Sequence, residues 1–157
     1  MSVKKTTYNY MKWFSADEMH ERSKRWLSEL SFIRDEQGFL DNLIKSFAIK
    51  PSQQEEFGRI NDFKNAIAEN RRRLNPIFKQ VQKHMNQLGI MLDGVNQLEM
   101  EKGYKKTHEK LYQKMNIYLL DYRTVKERGF SKLLSILKKE KQQVGMSNPD
   151  YKVKTIK

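Results

Sequence analysis

His84 and His108 are the residues of this 157-residue chain whose type and placement offer chemistry. Imidazole binds metals as a neutral ligand and changes charge near neutral pH. If the chain bends back near residue 95, residues whose numbers sum to about 190 face one another, which brings His84 and His108 within about one helical turn. At one level they could share a metal or titrate as a pH switch. A metal would need two further ligands, and only Glu101 and Glu109 stand nearby in sequence. Two amphipathic imidazoles at the edge of a core satisfy the same spacing without any ligand. The third histidine, His20, shares a face with Asp17 and Glu21 at a helix start, where carboxylates complement the helix dipole and need no other role.

Much other chemistry is excluded. With no cysteine, disulfides, thiol catalysis and thiolate metal sites are ruled out. No histidine has Glu three residues before it, so the Glu-x-x-His repeats of a di-iron bundle are missing. There is no Gly-rich phosphate loop, no serine elbow and no Arg-x4–6-His arrangement. The expectation is a non-enzymatic protein without metal or cofactor.

The cationic residues are a second candidate. Lys102, Lys106, Lys110 and Lys114 recur every four residues and would line one helix face over about 18 Å, with Lys105 alongside. Of a net charge of +12, six excess positive charges fall in residues 95–143. Arg72 and Arg73 add exposed charge to the preceding helix. Such a ridge would bind nucleic acid or another polyanion without reading sequence. Against this, lysines outnumber arginines 22 to 9 and aromatics do not alternate with the ridge as stacking platforms would. A solvated lysine face explains the pattern equally well.

These residues must be positioned by long helices. Ser15-Ala16-Asp17-Glu18 reads as a capping box, with Phe14 and Met19 at the staple positions. From there Met19, Trp26, Ile33, Leu40 and Phe47 recur every seven residues, with Ser23, Leu30, Gln37 and Ile44 between them. Pro51 bounds this helix near residue 48. The second helix, capped by Ser52, carries Ile60, Ile67, Leu74, Val81 and Leu88. A companion stripe is read as Phe57, Lys64, Arg71, Phe78, Met85 and Leu92, and Asp93-Gly94 ends it. Pro76 predicts a kink. The third helix runs through Tyr104, Leu111, Met115, Tyr118, Tyr122 and Val125. Its phase then shifts to Phe130, Leu133, Leu134 and Leu137, as in a stutter.

The fold expected is all-α, an elongated antiparallel three-helix bundle with coiled-coil-like heptad packing. Its helices cover about 15–48, 52–92 and 96–142. Residues 1–14, rich in aromatics, would pack on one end of the bundle, and 144–157 would form a flexible basic tail. A first bend near residue 50 makes facing numbers sum to about 100, so Leu40 meets Ile60, Ile33 meets Ile67, Trp26 meets Leu74 and Met19 meets Val81. The same register sets Arg71 against Glu29 and Lys64 against Glu36 as ion pairs that fix it.

Phe32, Phe39 and Leu43 form a second apolar stripe on the first helix. Either the third helix covers them or they dock a partner. A non-enzymatic interaction or scaffold module, self-associating or binding another protein, is the function this pattern suggests. Polyanion binding and metal or pH sensing at His84/His108 are the alternatives. No window is apolar enough for a membrane span and no signal peptide is visible, which points to the cytoplasm.

Overall fold

The computed structural model describes residues 15–48, 54–92 and 98–147. Three helices account for them: α1 (Ala16–Ala48), α2 (Gln54–Leu92) and α3 (Leu98–Ser147). They run up, down and up, so that α2 is antiparallel to both neighbours. At 1.5 Å per residue the 39 residues of α2 span about 58 Å. The expected aromatic segment 1–14, with Phe14 of the staple, lies outside the described residues, as do Ser52, Gly94 and the tail from 148. Helix α3 reaches Ser147, five residues past its expected end, so the tail does not begin at Val144.

Local signals act as physics requires. The Glu18 amide donates to Ser15 Oγ at 3.2 Å, one half of the capping box. Helix α2 runs unbroken through Pro76, and Asn75 before it caps no second helix. Instead Asn75 Oδ1 accepts from Arg34 at 3.4 Å, across to α1.

The core is one column of apolar side chains. Trp26, Leu30, Ile33, Leu40 and Ile44 of α1 pack with Ile60, Phe63, Ile67, Leu74 and Val81 of α2. From α3 come Leu111, Met115, Tyr118, Tyr122, Leu133 and Ile136. Met19, Leu88 and Met91 form a smaller cluster at one end.

Two corrections to the expected register follow. On α2 the companion stripe is Phe63, Asn70, His84 and Met91, all buried, with Ile77 partly buried between them, one residue before the charged positions assigned above. Lys64 and Arg71 are therefore exposed, and Phe57 and Leu92 have side chains outside those described. Gln37 bonds Asn70, and Met19 clusters with Leu88, so facing residues of α1 and α2 sum to about 107, not 100. The helices are displaced by one heptad, about 10 Å. Leu40 is level with Ile67, Ile33 with Leu74 and Trp26 with Val81. The apolar stripes repeat every seven residues and fit both registers alike. Only in the observed one does Gln37 meet another amide; in the other it would face Phe63. A buried polar pair is a known register device.

Around α2 and α3 the expected sum of about 190 holds, since His84 bonds His108. Farther along α3 the phase does shift, but differently from expectation. Gly129, Leu133 and Ile136 turn inward, while Phe130, Leu134 and Leu137 are exposed. The cause is Gly129: a Cβ there would collide with the Phe63 ring, which lies against the bare backbone of α3. Phe130 is set beside the seam, edge-on to Phe63 with ring centroids 6.2 Å apart.

Candidate functional site

Four features carry the residues singled out above: two buried polar layers and two grooves.

The imidazole layer brings His84 and His108 together as their spacing predicts, with His84 Nε2 and His108 Nδ1 3.0 Å apart. They are not at the core's edge: their exposures are 1% and 0%. Helix α1 closes over them. Trp26 stacks on His108 at 4.6 Å, and Tyr104 stands edge-on to His84. The small Ser23, near the level of His84, leaves room for two rings, its own hydroxyl donating to the Met19 carbonyl. Burial disfavours the charged form, which lowers His84 to about 4. His108 falls to about 3, by burial first and then by the charges of His84 and Arg22. Both are neutral near pH 7, one donating to the other. His84 Nδ1 has no hydrogen-bond partner among the described residues. No group of three His, Cys, Asp or Glu that could hold a metal exists among the described residues, and neither Glu101 nor Glu109 completes one.

The amide layer lies 14 residues away along α2, about 21 Å. Gln37 Nε2 donates to Asn70 Oδ1 at 2.8 Å and also lies 3.1 Å from the Tyr118 hydroxyl. That hydroxyl donates to Asn70 Oδ1 at 2.7 Å. Asn70 Nδ2 reaches Asp121 at 3.3 Å, and Arg73 reaches the same carboxylate oxygen at 3.2 Å. Burial and the Asp121 charge push the Tyr118 hydroxyl up to about 12, despite the Gln37 bond. On the α1/α3 side Glu36 accepts from Tyr122 at 2.6 Å and from Lys126 at 2.8 Å. Burial raises the Glu36 carboxyl, but these two hydrogen bonds and the Lys126 charge outweigh it and hold it below its ordinary value.

The expected ion pairs do not form here. Glu36 is engaged by α3 rather than by Lys64. Glu29 and Arg71 line different grooves and make no ion pair among the described residues. The reason is the heptad displacement. Arg72 points outward as expected and pairs with Glu69 of its own helix. Arg73 does not simply face solvent: it ties α2 to α3 through Asp121.

Helices α1 and α3 pack against each other only sparsely, leaving a groove of about 500 Å³ between them. Ile33 and Phe32 form one wall, Leu119 and Tyr122 the other, with Glu29 and Arg123 at the rim. Phe32 and Phe39 are 66% and 64% exposed, so α3 leaves them uncovered. Leu43 is half-buried against the core.

The lysine ridge is exposed at Lys102, Lys106, Lys110 and Lys114, and half-buried at Lys105. Lys110 and Lys114 line a groove of about 310 Å³ between α2 and α3, together with Lys83, Gln80, Gln87 and Thr107. His84 is also in its lining. Lys114 spans it to Gln80 at 3.0 Å.

Asn70, Lys83 and Gly129 were missed by sequence reasoning. Asn70 was findable: it lies three residues after Ile67 and four before Leu74, a seam position. Gly129 carried the signal of a glycine deep inside a helix. Lys83 needed the register of α2 on α3. No described helix is long and apolar enough to cross a membrane. No protein-family model, no curated protein and no solved structure matches this chain.

Proposed function

We propose that this chain is a non-enzymatic helical interaction module that self-associates through the α1/α3 groove. The observation that carries this reading is the pairing of a projection and a recess on one face. Phe32, in one wall of the groove, and Phe39, seven residues along the same helix, stand more than three-fifths exposed. Ile33, Leu119, Tyr122 and the paired Glu36 and Lys126 complete the recess. A face bearing both is complementary to itself. A two-fold axis sets each copy's phenylalanines against the other's groove, and such isologous contacts close into a dimer. Burying two aromatic rings per copy is also the usual means by which an interface concentrates its energy.

The non-enzymatic part of the reading is supported by where the perturbed groups sit. Burial lowers the ionisation of His84 and His108, yet they lie almost wholly buried beneath Trp26, Tyr104 and the helix backbones. A general base must reach its substrate.

Sedimentation of the full chain tests the proposal. The expected result is a dimer at micromolar protein that becomes monomeric in Phe32→Glu and Phe39→Glu. Both side chains are exposed, so the fold survives, as far-ultraviolet circular dichroism should verify. A wild-type monomer, or a dimer indifferent to both substitutions, would overturn the reading.

A further inference from the structure

The groove between α2 and α3 has a different character from the one between α1 and α3. From α2 it is lined by Gln80, Lys83 and Gln87, and from α3 by Thr107, Lys110 and Lys114. These positions follow one face of each helix. No carboxylate lines it among the described residues. The neighbouring sequence deepens the contrast: residues 70–92 contain five basic side chains and no acid, and residues 102–120 contain five lysines and the single acid Glu109.

Both lysines of α1 are neutralised locally, Lys24 by Glu21 and Lys45 by Asp41. Lys83, Lys102, Lys106 and Lys110 carry no ion pair among the described residues. Arg72 and Arg73 are spent on Glu69 and Asp121 and do not belong to this track. The unpaired lysines thus form a continuous path, with the α3 ridge as its length and Lys83 as a second bank across the groove. Aligned uncompensated charges keep a field of one sign over a distance exceeding the Debye length at physiological salt, about 8 Å.

We infer that this two-banked lysine track binds the phosphate backbone of double-stranded nucleic acid. The chemistry of the walls selects that occupant. Lysine ammonium groups and amide side chains meet phosphate oxygens, and the one ring among the described lining residues, that of His84, is 1% exposed and too buried to stack an unpaired base. A duplex offers one charge per about 1.7 Å of axis, twice the density of one strand, so a rigid track gains most from it. Binding through contacts to phosphate is indifferent to sequence.

Fluorescence anisotropy of a labelled random-sequence duplex, titrated with the full chain across a salt series, tests the inference. With four or five lysines engaged, the logarithm of affinity falls with the logarithm of salt at a slope of about −4. Lys83→Gln, Lys110→Gln and Lys114→Gln should each reduce that slope by about one and weaken binding alike for all sequences. Lys24→Gln and Lys45→Gln should leave it unchanged. Phe32→Glu should also leave it unchanged, which separates this site from the self-association surface. Equal loss from the α1 controls, no loss from Lys83→Gln, or equal affinity for single strands or for heparin would overturn the assignment.

Discussion

The amide layer at Gln37, Asn70 and Tyr118 and the imidazole layer at His84 and His108 solve one problem in two ways. Both put polar groups where an unpaired one is costly. In the first, neutral groups from all three helices bond one another, and Gln37 Oε1 alone of them is without a partner among the described residues. Nothing in it changes charge across ordinary pH, with Tyr118 pushed up to about 12. In the second, two bases share one bond, and the arrangement is sound only while both are uncharged. A polar layer closed by amides is insensitive to protons; one closed by imidazoles is conditional on their absence.

Acid should break the comparison most strongly. His84 and His108 titrate near 4 and 3 in the fold, against an ordinary 6.5 in the unfolded chain. The unfolded chain therefore binds more protons in this window. Stability is fully present above pH 6.5 and is lost as pH falls toward 4, with a slope approaching about 1.4 kcal/mol per pH unit for each histidine. Arg22, facing His108 from α1, adds to the penalty. Denaturant titrations at stepped pH check this. The double substitution of His84 and His108 by Gln should flatten the profile, and an unchanged slope would remove the imidazoles as its cause.

Asn70→Ala comes next. It removes the acceptor shared by Gln37 Nε2 and the Tyr118 hydroxyl, which keep each other and the residue-70 carbonyl, and should cost about 2 kcal/mol with no added pH dependence. Urea midpoints at two pH values read both parts. Tyr118→Phe removes one hydroxyl while Gln37 keeps Asn70, and should cost about 1 kcal/mol. The smallest change in stability is expected from Gln37→Leu with Asn70→Leu, because replacing both partners with apolar groups is nearly neutral. What this pair of changes should lose is uniqueness. With the amides gone, α1 and α2 gain access to the register one heptad away. Cysteines replacing Leu40 and Ile67 trap the observed alignment, and cysteines replacing Leu40 and Ile60 trap the other. Crosslinking only of the first pair would show that something else fixes the seam.

That degeneracy also explains what was legible in the sequence. Helix number, direction and most of the core follow from periodicity, and Met19, Trp26, Ile33 and Leu40 are buried as their spacing predicts. A seven-residue repeat, however, is blind to a seven-residue slip. The choice was made by residues that do not repeat, above all Gln37 and Asn70, and reading Lys64 and Arg71 into the seam hid Asn70. The histidine pair was legible because the bend between α2 and α3 is short, and an error of one heptad there would have separated them. Its depth was not legible, since Trp26 reaches His108 only in the observed register. The uncovered Phe32 and Phe39 depend on how far α3 stands from α1, a distance no pattern within one helix encodes.

Gly129 bears on how this rod behaves under load. The Phe63 ring sits in the notch left by the absent side chain, so α2 and α3 are engaged there like a tooth in a rack. Smooth apolar stripes resist separation sideways but let helices glide lengthwise past each other. A tension applied along the long axis would press this ring against the α3 backbone, a steric stop added to the His84–His108 and Arg73–Asp121 ties between the same two rods.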